Sequence, residues 1–157
     1  MHRKVRDVFV LTAVLISIGP FGIDQVLADG AIAVGVAPGG AARGYTSAIR
    51  VNEKDIDTAK ANALTVCKKP SAHVSGTPED NGSRAAKANC EVVATFRNKC
   101  AADALDPKDG TPGVGWAIGD TQQEADNEAI ARCRSSAGAD RREFCKITTR
   151  ACDGEAK

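Results

Sequence analysis

The chain has 157 residues, a formal net charge of +1, six cysteines and an aromatic content of only 4%. A charge balance this even excludes attraction to nucleic acid or anionic membrane through net charge. The length suits one domain, and an apolar content made mostly of alanine and valine excludes a core built on large side chains.

The first residues read as an export signal. Arg3, Lys4 and Arg6 form a basic start, interrupted by Asp7, and Val8 to Ile18 is an uncharged, mostly apolar run. Gly19-Pro20-Phe21-Gly22 breaks any helix, and Val26-Leu27-Ala28 offers short side chains before a cleavage point. The run is shorter than the roughly 20 residues of a membrane span, so a signal peptide over 1–28 is preferred to a retained anchor. No cysteine is placed for lipid attachment. Cleavage after Ala28 leaves 129 residues, 29–157, with 18 basic and 18 acidic side chains. All six cysteines and just four aromatics, Tyr45, Phe96, Trp116 and Phe144, lie in this part. An even cysteine count, an export signal and a thin core together predict three disulfides. Each would contribute about 2–4 kcal/mol.

In chain order, Ala31 to Ala37 reads as a buried strand running into the Pro38-Gly39-Gly40 turn, and Arg43 to Ile49 as its return, with Tyr45 able to cover one face. Asn52 with Asp55 is a weak helix-start signal. Ala59, Ala63, Leu64 and Cys67 then fall on one helical stripe. The link from Lys68 to Asn89 is 22 residues rich in Pro, Ser, Gly and Lys and reads as a mobile surface loop. Its Asn81-Gly82-Ser83 is read as a turn. Glu91 to Phe96 is the next strand. Ala101 to Leu105 is a weaker strand, Asp106-Pro107-Lys108-Asp109-Gly110 a turn, and Val114 to Ile118 the return. Thr121 with Glu124 fits a capping box, and Ala125, Ala129, Ile130 and Cys133 repeat the first helical stripe 66 positions on. Lys146 to Arg150 closes the chain as a strand.

The fold class predicted is α+β: an internally duplicated pair of ββαβ units, about 30–100 and 101–152, with antiparallel sheets, two helices and three disulfides in a single domain. The repeat also selects a pairing. Cys67–Cys90 and Cys133–Cys145 would each tie a helix end to the start of its own strand. Cys100–Cys152 would join the units across a pseudo-twofold axis.

Gly30-Ala-Ile-Ala-Val, the A-x-x-x-A-L-x-x-C helix, Cys90-x-Val-Val-x-x-Phe-x-x-x-Cys100-Ala, Gly115-Trp116-Ala and the closing Cys145…Cys152 resemble the bacterial family called "domain of unknown function 4189" over nearly all of Gly30 to Cys152. The resemblance implies a small, exported, cysteine-bearing domain. It carries no assigned activity and transfers no catalytic residue. The 22-residue link after Cys67 is longer than the family leads one to expect.

The search for chemistry is largely negative. His73, the one histidine left after signal removal, sits in the long loop and reads as solvent-exposed. Any Ser-His-Asp or Cys-His mechanism would have to use it. The cysteine gaps are 22, 9, 32, 11 and 6 residues, without the close pairs of a zinc site. No metal or cofactor is therefore expected. Among the carboxylates, Asp106 and Asp109 are explained by a turn, Glu124 by capping, and Asp120 and Asp126 by a helix N-terminus. Asp103 has no such role and reads as surface-exposed. The glycines of Gly113 to Gly119 are mis-spaced for a dinucleotide loop, and four scattered aromatics give no stacking platform for nucleic acid. Trp116 reads as a core anchor, with Trp116 and Tyr45 as candidate partner-facing aromatics.

These observations predict an exported domain, periplasmic or extracellular, that acts as a non-enzymatic binding module: an inhibitor, an effector or an envelope factor. Its partner would be a protein or envelope component, with no nucleic acid and no membrane span after signal cleavage. The alternative is a carboxylate-dependent hydrolase of envelope polymers, which needs two acidic side chains facing one cleft.

Overall fold

The structure, a computed structural model, describes residues 29–69, 73–75 and 81–157. The expected signal segment, 1–28, lies outside the described residues. The first half runs β1 (Asp29–Val36), β2 (Tyr45–Glu53), α1 (Ile56–Cys67), β3 (His73–Ser75), α2 (Asn81–Ala88) and β4 (Glu91–Phe96). The second runs β5 (Cys100–Leu105), β6 (Val114–Gly119), α3 (Gln122–Ser136) and β7 (Lys146–Cys152).

Two sheets result, ordered β3-β2-β1-β4 and β6-β5-β7, with every pairing antiparallel. Leaving β3 aside, each ββαβ unit makes its own sheet with its first strand in the centre. The likeness extends to an irregularity. Register shifts skip Val93 in β4 and Thr148 in β7, each three residues after the cysteine that opens its strand. Counted from these bulges, Ala48, opposite Ala33, corresponds to Gly115, opposite Ala104. The matching of Ala48-Ile49 with Ala117-Ile118 suggested by the sequence is thus two residues out. A slip of two keeps the same face of a strand, so apolar pattern alone does not detect it.

The alternation of each central strand sorts its side chains between two cores. In β1, Ala31 and Ala33 pack with Ala59, Ala63 and Cys67 of α1. In β5, Cys100, Ala102 and Ala104 pack with Ala125, Ala129 and Cys133 of α3. The opposite faces meet one another, where Ile32, Val34, Tyr45 and Phe96 pack with Ala101 and Leu105. The molecule is therefore layered helix, sheet, sheet, helix. Alanine on the helical stripes permits close approach. A Cβ added at Gly115 would sit 2.5 Å from the Ala129 carbonyl oxygen and against the Cys133 amide nitrogen.

The helix starts are specified locally. Thr121 and Glu124 form the expected capping box on α3. On α1 the cap is Asp55, whose carboxylate accepts from Thr58 N at 2.7 Å. Asn52 cannot serve, because β2 continues to Glu53 in register with Asp29. The link 68–89 departs from its reading as a loop. It supplies β3, which pairs with the outer edge of β2, and α2, a third helix where two were expected. Ala86 of α2 is fully buried, and its carbonyl lies where any Cβ on Gly35 would fall. Gly82 and the neighbouring prolines mask this short helix in the sequence.

All six cysteines are bonded, as Cys67–Cys90, Cys100–Cys152 and Cys133–Cys145. The inter-unit role assigned to Cys100 and Cys152 is corrected by the register. Cys100 lies opposite Cys152 in neighbouring strands of one sheet, so this bond closes the second unit on itself.

Candidate functional site

The units are tied by two buried carboxylates. Asp103, expected at the surface, is fully buried on the face of β5 that meets the first sheet. The Tyr45 hydroxyl donates to its Oδ1 at 2.5 Å, and the Thr148 hydroxyl donates to its Oδ2 at 3.0 Å. Asp153, also fully buried, accepts from the Asn52 amide at 2.7 Å and the Asn98 amide at 3.0 Å. Both asparagines have positive φ, 57° and 51°, a conformation asparagine tolerates better than most residues. Asn52 in turn accepts from Gly154 N at 2.9 Å.

Tyr45 is 1% exposed, so its candidacy as a partner-facing aromatic is withdrawn. The apolar sheet–sheet interface claims its ring, and Asp103 claims its hydroxyl. Burial first, then the charge of Asp103 and the hydrogen bond to it, push the phenol well above its ordinary pKa, against a smaller opposing effect of Ser47. Trp116 sits opposite Asp103 on edge strand β6 and is half-buried. It packs against the inter-sheet core, and the Arg132 guanidinium lies 5.5 Å from its ring centroid. His73 lies in β3 at the register position opposite Ser47, in a strand and not a loop. Its side chain is outside the description.

The remaining acids are also engaged. Asp106 is buried and receives Arg141 through two bonds of 2.6 and 2.8 Å. The Arg141 guanidinium holds its carboxyl below the usual carboxylate range. Asp126 pairs with Arg150 at 2.9 Å. Asp120 is ion-paired with Lys99. Glu124 accepts from the Thr121 amide at 3.3 Å to close the capping box, and also from the Asp120 amide at 2.9 Å. Glu128 is bonded to Arg132 at 2.9 Å.

Asp120, Glu124 and Glu128 share an open groove of about 630 Å³ with Lys99, Asn127 and Ala131, floored by Ile118 and Gly119. It runs between the end of β6 and the outer side of α3. The sequence explains Asp120 and Glu124, two of the acids weighed for a hydrolase, by helix starting, and the groove does bring them to one cleft, together with Glu128. Lys99 and Glu128 went unnoticed, and Asn127 counted only as part of the helix's polar face, because their convergence depends on α3 crossing the sheet. None of the three acids is buried, whereas a general acid at neutral pH is held in an apolar pocket. Among the described residues, no three histidine, cysteine, aspartate or glutamate side chains converge as a metal site requires. No helix among them is long and apolar enough to cross a membrane.

The family model described as "Domain of unknown function (DUF4189)" matches residues 30–152. The chain belongs to this family. No curated protein and no solved structure matches it. The matched span of the DUF4189 domain begins one residue into β1 and ends at the last cysteine. It therefore includes both units, all three disulfides and the groove.

Proposed function

We propose that this DUF4189 protein is exported and works as a non-enzymatic binding module, with the groove along α3 as its contact surface. The observation that carries the reading is the disposition of the carboxylates. Asp103, Asp106 and Asp153 are committed to internal bonds. The groove acids are solvent-facing and each already bonded. The groove does face two or more acids into one cleft, but a hydrolase also needs one of them held protonated as the general acid, and all three are exposed and bonded to a cation or a backbone amide. An open groove with mixed charge suits a polar partner surface, either another exported protein or an envelope component. Export is supported by the basic and apolar start of the chain and by three disulfides, which persist in oxidising compartments.

The test compares capture from envelope and culture-medium fractions by oxidised wild type and by Asn127→Arg, which fills the groove from an exposed helical position. A species retained by wild type and lost by the variant supports the reading. A species retained equally by both removes the groove from it. Retention of nothing by the oxidised protein refutes the binding role.

A further inference from the structure

Four strand edges bound the two sheets; β4 and β7 share a bulge, and the three edges other than β4 carry a further guard of the kind that prevents edge-to-edge pairing. β3 is only three residues long. The outer side of β6 is occupied by α3. The Ser136 hydroxyl accepts from Val114 N at 2.9 Å and donates to Val114 O at 2.8 Å, while Arg132 donates to the Trp116 carbonyl at 3.0 Å. β7 carries Lys146 and Arg150, and its Thr148 hydroxyl is turned to Asp103. The fourth edge, β4, has six residues with no charge between Glu91 and Arg97, reading Val92-Val93-Ala94-Thr95-Phe96. Among the described residues, no side chain is bonded to its backbone. The contrast with β7, its counterpart in the duplicated unit, is sharp: Lys-Ile-Thr-Thr-Arg in one, Glu-Val-Val-Ala-Thr in the other.

We propose that the β4 edge is a self-association surface whose occupant is a second copy of the chain, added antiparallel across a two-fold axis. The charge pattern selects this occupant and its register. Pairing centred on Ala94 sets Glu91 opposite Arg97 of the second copy at both ends of the ribbon and places uncharged residues between them. Arg97 is held in place by two bonds to buried Asp29, at 2.7 and 2.9 Å, yet is 49% exposed. It can therefore receive a second carboxylate. Such a contact is isologous, as a two-fold interface requires, and its affinity comes mainly from main-chain hydrogen bonds. It uses the backbone of β4 and not the groove acids, so its test, which reads mass and exchange at 91–96, is separate from that of the binding role.

The experiment is light scattering on the oxidised full chain from micromolar to near-millimolar protein, with amide hydrogen exchange measured at both ends of that range. The expected result is a concentration-dependent doubling of mass, with slowed exchange confined to 91–96. Glu91→Lys, which faces Arg97 of the second copy with a like charge, should remain monomeric at concentrations where wild type is dimeric. Lys146→Glu on the opposite edge strand should dimerise like wild type. Glu91 is exposed, so the fold of the variant is checked by its unchanged melting. A monomer at every concentration, slowed exchange at β6 or β7, or a dimer indifferent to Glu91→Lys would overturn the proposal. Slowed exchange at β4 only after another protein is added would also overturn it, by giving the edge a different occupant.

Discussion

Replacing Tyr45 by phenylalanine tests the bridge between the two sheets. The substitution keeps the ring, which is 1% exposed, and deletes only the hydroxyl that donates to Asp103 at 2.5 Å. Asp103 stays buried and keeps the Thr148 bond among others, but loses the Tyr45 donor. A hydrogen bond to a charged group contributes about 1.5–3 kcal/mol net, and leaving buried charge under-solvated pushes toward the upper end. The expected loss at pH 7 is therefore about 2–3 kcal/mol. For a domain of this length each kcal/mol shifts the melting temperature by about 4 °C, giving a fall of about 8–12 °C. The same bond has an alkaline signature. The folded phenol is raised above its ordinary value, near 10. Below that pH both states hold the proton and the contribution is intact. Above it the unfolded chain ionises first, so wild-type stability falls as pH rises, by about 1.4 kcal/mol per pH unit until the folded pKa is reached. Tyr45 is the chain's single tyrosine, so absorbance titration of phenolate reports it alone. The folded protein should show no transition near pH 10, and urea-unfolded protein should show one. The stability gap between wild type and Tyr45→Phe, from urea melts at rising pH, should narrow over the same range. Ordinary titration of the folded tyrosine, or a variant within about 0.5 kcal/mol of wild type at pH 7, would refute the reasoning.

Asp153→Ala removes the acceptor of two amides, Asn52 N and Asn98 N. Urea unfolding should show a loss of about 2–4 kcal/mol, with Asp153→Asn losing less because its amide oxygen still accepts. Gly115→Ala places a Cβ against the backbone of α3. The helix must move outward, and calorimetry should show a cost of about 1–3 kcal/mol. Asp106→Asn removes a carboxyl held below the usual range by Arg141. The wild-type contribution of this group is present above the unfolded value, near 4, and is lost as pH falls through the lower folded value. Acid melts of the variant should therefore be flatter across that interval than those of wild type.

The two helical stripes were legible because alanine and cysteine recur at helical spacing against charged neighbours, and α1 and α3 follow them. The strand segments Glu91–Phe96 and Ala101–Leu105 were legible because apolar runs between cysteines and a proline turn leave few alternatives. Asp103 was not. In Cys-Ala-Ala-Asp-Ala-Leu, period two assigns the acid to the face opposite Ala102 and Ala104, and the default reading of a polar residue there is solvent. That face is covered by a second sheet, and no local pattern announces what lies across a sheet–sheet interface. Tyr45 was misjudged as partner-facing for the same reason: its hydroxyl finds a partner 58 positions away. The groove was illegible for a third reason. Lys99, Asp120 and Glu128 come from a strand entry, a helix entry and a helix middle, and sequence spacing does not encode the angle at which α3 crosses its sheet.

The duplication explains why the buried polar bridges matter more than their number suggests. Each ββαβ unit covers one face of its sheet with its own helix, and its disulfides bind only residues of that unit. The other face of each sheet, Ile32 and Val34 in one and Ala101 and Leu105 in the other, is apolar and of modest size. Apolar contact between two such faces is non-directional, and a slide of one sheet by two residues would keep apolar residues in contact. The Tyr45–Asp103 bond and the Asp153 carboxylate do not survive such a slide, because each requires a donor at hydrogen-bond distance from a buried acceptor. The relative position of the units is thus set by these two carboxylates, while the helical faces and disulfides set each unit internally. On this reasoning Tyr45→Phe and Asp153→Ala combined should lose more stability than the sum of the two, and should loosen the sheet–sheet interface while leaving all three disulfides intact.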